Sequence, residues 1–129
     1  MFTVEQIKAA HSKVKSGADF PAYIKEITAL GVSHYEAYVC DGHIDYHGPN
    51  SHSVTVPEKY TLLKIADKPL IDEFKEGLLA HQKGKTDYLT FITMCAAVGI
   101  EKWTISIEKM TCTYYDTCGN EVLVEQIPQ

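Results

Sequence analysis

The feature that most constrains this chain is an apparent internal duplication. Residues 15–58, "KSGADFPAYIKEITALGVSHYEAYVCDGHIDYHGPNSHSVTVPE", align without a gap on residues 83–126, "KGKTDYLTFITMCAAVGIEKWTISIEKMTCTYYDTCGNEVLVEQ", at the offset that carries Gly31 onto Gly99. Lys15 meets Lys83, Asp19 meets Asp87, Ile24 meets Ile92, Tyr46 meets Tyr114, and Val54 and Val56 meet Val122 and Val124. Tyr35 meets Trp103 and Val39 meets Ile107, which keeps the apolar character. A block recurring in this way restricts the chain to folds in which one supersecondary unit occurs twice.

Within the unit the hydrophobic period changes from helical to alternating. Thr3 followed three residues later by Gln6 reads as a capping box, with Phe2 and Ile7 as its hydrophobic staple, and the helix is expected to end near Gly17. Ile7, Ala10, His11 and Val14 fall on one face, so His11 is read as packed at a helix edge. Asp19 is expected to cap a second helix that has Pro21 in its first turn and Gly31 as a left-handed C-cap. Phe20, Tyr23, Ile24, Ile27 and Leu30 form its buried stripe.

After Gly31, "SHYEAYVC" and "HIDYHG" flank Asp41-Gly42, a two-residue hairpin signal because both turn positions need positive φ. That turn predicts Cys40 opposite His43, Val39 opposite Ile44, Tyr38 opposite Asp45 and Glu36 opposite His47. Opposed residues share a sheet face. Tyr35, Ala37, Val39, Ile44 and Tyr46 then point to the core, while Glu36, Tyr38, Cys40, His43, Asp45 and His47 point away from it. "SVTV" supplies a third strand, stopped by Pro57.

Residues 57–66 read as an irregular surface connection. Asp67 is expected to cap the next helix, with Pro69 in its first turn and Phe74, Leu78 and Leu79 on its apolar side. Asp87 caps the helix after it, Gly99 terminates that helix, and Trp103, Ile105, Ile107, Cys112, Tyr114, Val122 and Val124 alternate inward on three strands. The expected fold class is therefore α+β: an internally duplicated helix-helix-three-stranded antiparallel meander, with helices on one face of the sheet or sheets. We read residues 1–129 as a single domain, with one pseudo-repeat over about 3–58, the connection over 57–66 and the second pseudo-repeat over about 67–127.

Composition narrows the function classes. Seventeen acidic against twelve basic side chains give −5, a balance that disfavours capture of nucleic acid or an anionic membrane. No apolar run approaches the ~20 residues of a membrane span, and "MFTVEQIKAAHSKVK" lacks the apolar core of a signal peptide, so a cytoplasmic location is expected. The four cysteines show no C-x-x-C spacing and are read as free thiols.

Positions common to both blocks are explained by the scaffold, so the search for chemistry turns to what differs. On the outer sheet face the first block carries Glu36, Tyr38, Cys40, His43, Asp45 and His47; the second carries Thr104, Ser106, Glu108, Thr111, Thr113 and Tyr115. Glu36, Tyr38, Asp45 and His47 are the candidate ligand or partner face, with Glu36 placed to orient the His47 imidazole. Cys40 and His43 are weak metal candidates, lacking a third ligand at zinc-site spacing. The competing reading is an ordinary solvated face of cross-strand polar pairs. Cys95 and Cys112 read as small core hydrophobes, and Cys118, in the tip "DTCGN", as the exposed thiol. No P-loop, G-x-S-x-G, G-x-G-x-x-G or H-E-x-x-H motif occurs, so neither catalytic residues nor a cofactor are assigned.

The segments "KVKSGADFP", "HQKGKTDYLTF", "GIEKW", "MTCTYYDTCGNE" and "VEQIPQ" resemble the YbcV-like proteins, a small bacterial family of unknown function often labelled "phage envelope protein". The resemblance runs essentially end to end and implies a bacterial, prophage-associated origin with no assigned activity. The sequence thus leads to a non-enzymatic cytosolic interaction module whose partner is another protein or a second copy in a homodimer. The alternative is a small-ligand binder or unrecognised enzyme using the outer face of the first hairpin.

Overall fold

The structure is a computed structural model that describes residues 2–14 and 19–127. Among these residues the helices and strands follow in the order α1 (Val4–His11), α2 (Phe20–Leu30), β1 (His34–Tyr38), β2 (Ile44–His47), β3 (Ser53–Val56), α3 (Ile71–Gln82), α4 (Tyr88–Ala97), β4 (Lys102–Ser106), β5 (Thr111–Tyr115) and β6 (Glu121–Gln126). The fold is α+β. The strands form one antiparallel sheet in the order β3-β2-β1-β4-β5-β6, so the first strand of each meander pairs with the first strand of the other. In that central pair Glu36 faces Thr104, the residue that the Gly31-to-Gly99 offset assigns to it. No helix among the described residues is long and apolar enough to cross a membrane.

Local signals account for most of the helix ends. Thr3 Oγ1 accepts from the Gln6 amide at 3.2 Å and Gln6 Oε1 accepts from the Thr3 amide at 2.9 Å, which completes the capping box. Asp87 Oδ1 accepts from the Thr90 amide at 2.7 Å. Gly31 and Gly99 both close their helices with positive φ, +107° and +84°. Asp19, by contrast, has helical backbone angles and makes no side-chain capping hydrogen bond, because the chain is already turning at that residue. α1 ends at His11; the expected end at Gly17 lies outside the described residues.

The helices pack on one face of the sheet through aromatic and aliphatic side chains. Tyr23 of α2 stacks edge-on against Tyr35, Phe74 of α3 against Tyr114, and Phe91 of α4 lies against Trp103. Ile27, Val39, Phe74, Ile92, Cys95 and Ile100 are wholly buried. Each such aliphatic or aromatic side chain contributes about 1.5–3 kcal/mol relative to exposure. His11 lies at the helix edge, on the solvent side, with its ring edge-on to Tyr23 at 5.5 Å.

Long-range packing corrects three expectations and adds contacts to a fourth. First, the hairpin is not a two-residue turn. Glu36 pairs with Asp45 and His34 with His47, and Tyr38 accepts from Gly42 and donates to His43 through backbone bonds of 3.0 Å, which leaves Val39 to Gly42 as the loop. Only Gly42, at φ +82°, is left-handed there, whereas a two-residue turn would require Asp41 to be so as well. The register moves by two positions, so every side chain keeps its face while its opposite partner changes.

Second, a bulge between Tyr114 and Tyr115 shifts β6 by one residue. Leu123 then pairs with inward-facing Tyr114, while Val124 faces outward and is 49% exposed. Third, α3 begins only at Ile71, with Leu70 as its cap residue. The segment containing Asp67 and Pro69 is instead an irregular stretch with bends at Asp67 and Lys68, tied down by amide bonds from Ala66 to the Ala96 carbonyl (3.0 Å) and from Leu70 to the Val98 carbonyl (2.9 Å). Leu79 is half exposed rather than part of the apolar side.

Fourth, the connection over 57–66 is irregular as expected but is also a packed strap. Tyr60 donates to the Val39 carbonyl at 2.7 Å, and Lys59 and Leu63 donate to the carbonyls of Asp41 and Cys40. Tyr60 lies so close over Gly42 that a β-carbon there would come within 2.6 Å of its ring. The strap therefore fixes the hairpin loop from outside the hairpin.

Candidate functional site

The face of the sheet opposite the helices is built by alternation. His34, Glu36 and Tyr38 project from β1, Asp45 and His47 from β2, Lys102, Thr104 and Ser106 from β4, and Thr111, Thr113 and Tyr115 from β5. The union of the two meanders at β1 and β4 puts Lys102 directly between Tyr38 and Tyr115 on three neighbouring strands. Its ammonium nitrogen lies 5.6 Å from the centre of the Tyr38 ring and 5.4 Å from that of Tyr115, within cation–π range of both.

Glu36 is the hub of this face. Its Oε2 accepts from Lys102 Nζ at 3.1 Å and its Oε1 meets His47 Nε2 at 3.2 Å. Glu36 and His47 are thus in contact, as expected, but as diagonal neighbours across the two-position register shift and not as an opposed pair. Partial burial opposes the Glu36 charge, but the Lys102 hydrogen bond and charge, followed by those of His47, hold its carboxyl below the ordinary carboxylate range. Lys102 responds in kind: burial works against its charge, but the bond and charge of Glu36, joined by Tyr38 and Tyr115, together raise the ammonium.

Aromatic stacking completes the surface. His34 lies parallel to His47 with centroids 4.4 Å apart, and burial, followed by the neighbouring His47, lowers the His34 imidazole. Tyr38 lies parallel to His43 at 4.2 Å, and burial, then the Glu36 charge, raises its phenol. Asp45 accepts from the Thr55 hydroxyl at 2.7 Å. The candidate residues Glu36, Tyr38, Asp45 and His47 are therefore brought onto one surface, with every one of them engaged by a neighbour on that surface.

Cys40 and His43 are not brought together as opposed ligands. Cys40 sits in the four-residue loop, where burial and then Asp41 raise its thiol, while His43 Nδ1 is taken by Asp41 Oδ1 at 2.5 Å. Among the described residues no three His, Cys, Asp or Glu side chains are grouped as metal ligands. Cys95 and Cys112 are buried, and Cys118 is exposed. Asp116, which sequence reasoning passed over, is 6% exposed and ties the β5–β6 turn by accepting from the Cys118 and Asn120 amides at 3.0 and 2.9 Å and from Asn120 Nδ2 at 3.2 Å.

Lys102 and His34 are the other two omissions. Alternation alone places Lys102 on the outer face with Thr104, so its orientation was available from the pattern. Its bond to Glu36 was not, because that contact requires the two meanders to share one sheet.

The chain belongs to the family described as "Protein of unknown function (DUF1398)", whose model matches residues 8–126. None of the curated proteins matches it.

Proposed function

We propose that this chain is a non-enzymatic protein-interaction module that binds its partner through the outer face of the sheet. The observation that supports this reading is the preformed surface around Glu36 and Lys102. Helices cover one face of the sheet, while the other holds Tyr38, Tyr115, His34, His43 and His47 in place through one another. Rigid tyrosine rings beside a fixed charge pair offer large contact area at low conformational cost. A small polar ligand is less well served, because Glu36, Asp45, His43 and Lys102 are already paired. The joined sheet also weakens the case for edge-to-edge dimers. β1 and β4 are interior, and the outer strands are short or bulged.

Within this reading we place the protein in the bacterial cytoplasm, with the YbcV-like kinship and the prophage association resting on the quoted segments. A second copy bound through the same face, forming a homodimer, is the simplest partner. The test compares the wild-type chain with Tyr38→Ser/Tyr115→Ser, verified as folded by circular dichroism. Light scattering over a concentration series reads self-association, and quantitative affinity purification followed by reconstitution with the purified partner reads hetero-association. The expected result is an association weakened at least about tenfold in the variant. An association of unchanged strength would overturn the sheet-face assignment.

A further inference from the structure

On the other side of the sheet, where β3 runs into the strap, a cavity of about 140 Å³ opens between α1 and residues 56–59. Tyr46 lines it, held in place by a 2.6 Å hydrogen bond between its hydroxyl and that of Tyr23, and buried Val56 adds an apolar wall. Lys8 and His11 of α1 and Lys59 of the strap stand around it, against the single carboxylate of Glu58. Among the described residues the ion pairs are made by Lys13, His43, His47 and Lys102, so neither lysine of the cavity nor His11 has an acidic partner at ion-pair distance.

The three basic groups also act on one another. Burial and then the Lys8 charge lower the Lys59 ammonium, and burial and then Lys59 lower the His11 imidazole. Like charges gathered without a counter-ion favour any anion that enters between them, and binding to the folded state alone stabilises that state. Size limits the anion. A cavity near 150 Å³ accommodates about one benzene-sized ring.

We propose that this cavity binds a small organic anion, a monocarboxylate whose apolar body is no larger than one ring. The apolar body packs against Tyr46 and Val56, and the carboxylate lies toward Lys8 and Lys59. This site is independent of the proposed interaction face. Tyr46 points to the helix side of β2, whereas Asp45 and His47 point to the other.

The test is titration of the isotope-labelled full chain with sodium benzoate, followed by amide chemical shifts, with sodium chloride and benzyl alcohol in parallel. Saturable shifts confined to residues 7–11, 46, 56, 58 and 59 are expected from benzoate, with affinity at least about tenfold weaker for Lys8→Glu/Lys59→Glu and for benzyl alcohol. Circular dichroism checks that the double variant folds, because the Lys59 ammonium is partly shielded from water over the Tyr88 ring; Lys59→Gln, which only removes a charge, gives a smaller loss in the same direction. No saturable shift below about 20 mM benzoate would overturn the proposal. Shifts reproduced by chloride, matched by the neutral alcohol, or unchanged in the variants would do the same.

Discussion

Replacing Gly99 with alanine separates two reasons why a helix ends in glycine. Gly99 has φ +84°, a conformation that costs alanine about 1 kcal/mol. A β-carbon there would also lie 2.5 Å from the Lys68 carbonyl oxygen, 2.8 Å from its carbon and 2.9 Å from Pro69 Cα, all of them backbone atoms. Relieving that overlap requires displacement of the segment held by the Ala66 and Leu70 amides. With about 1 kcal/mol for each such bond strained or lost, the total cost is about 3 kcal/mol.

Gly31 is the internal control. It has φ +107°, but its nearest atom beyond the local chain is Phe2 Cδ2 at 3.9 Å, so Gly31→Ala should cost only the conformational ~1 kcal/mol. Urea unfolding followed by the fluorescence of Trp103, the single tryptophan, and by circular dichroism measures both variants. Equal losses, within about 0.5 kcal/mol, would refute the argument that the 67–70 segment is packed against the helix end.

Three further outcomes follow from the same geometry. A double-mutant cycle on Glu36→Gln and Lys102→Met, a pair 3.1 Å apart and each about one quarter exposed, should give a coupling energy of about 1 kcal/mol; a value near zero would remove the pair as a link between the meanders. Because the Glu36 carboxyl is held below its unfolded value, its contribution is fully present above that value and is lost as the pH falls through the folded one. Glu36→Gln should therefore flatten the acid limb of the stability curve below the ordinary glutamate value of about 4.3, and an unchanged limb in urea titrations at each pH would contradict the assignment. With a disulfide reagent, Cys118 should react first in the native protein, while Cys95 and Cys112, the latter pushed up to about 12 by burial, should react only on unfolding; rapid labelling of all four thiols would contradict the packing.

Where a residue's role is decided within a few positions, the sequence was legible. Thr3 with Gln6, Asp87 with Thr90, and the left-handed Gly31 and Gly99 are all local devices, and inward alternation from Tyr35 to Tyr46 survives because a two-position slip preserves parity. The hairpin loop was misread because Tyr60, far along the chain, packs on Gly42 and the strap bonds to Asp41 and Cys40. Val124 was misassigned because the bulge at Tyr114/Tyr115 shifts β6 by one residue and pairs Val124 with outward-facing Thr113. Asp67 was misread as a cap because Ala66 before it and Leu70 after it bond to the end of α4 before α3 begins. Of the candidate face, Glu36, Tyr38, Asp45 and His47 were placed together by periodicity alone. Lys102 joined them only through the β1–β4 pairing.

Site-specific photocrosslinking tests the interaction face most directly. A benzophenone side chain introduced in place of Thr104, at the centre of the outer face beside Glu36, is compared in the native host with the same group in place of Leu89, which is 56% exposed on the helix side. Irradiation should yield a discrete covalent adduct from position 104, with a second copy or another protein, and none from position 89. Adducts from position 89 alone would place the partner on the helices and contradict the assignment.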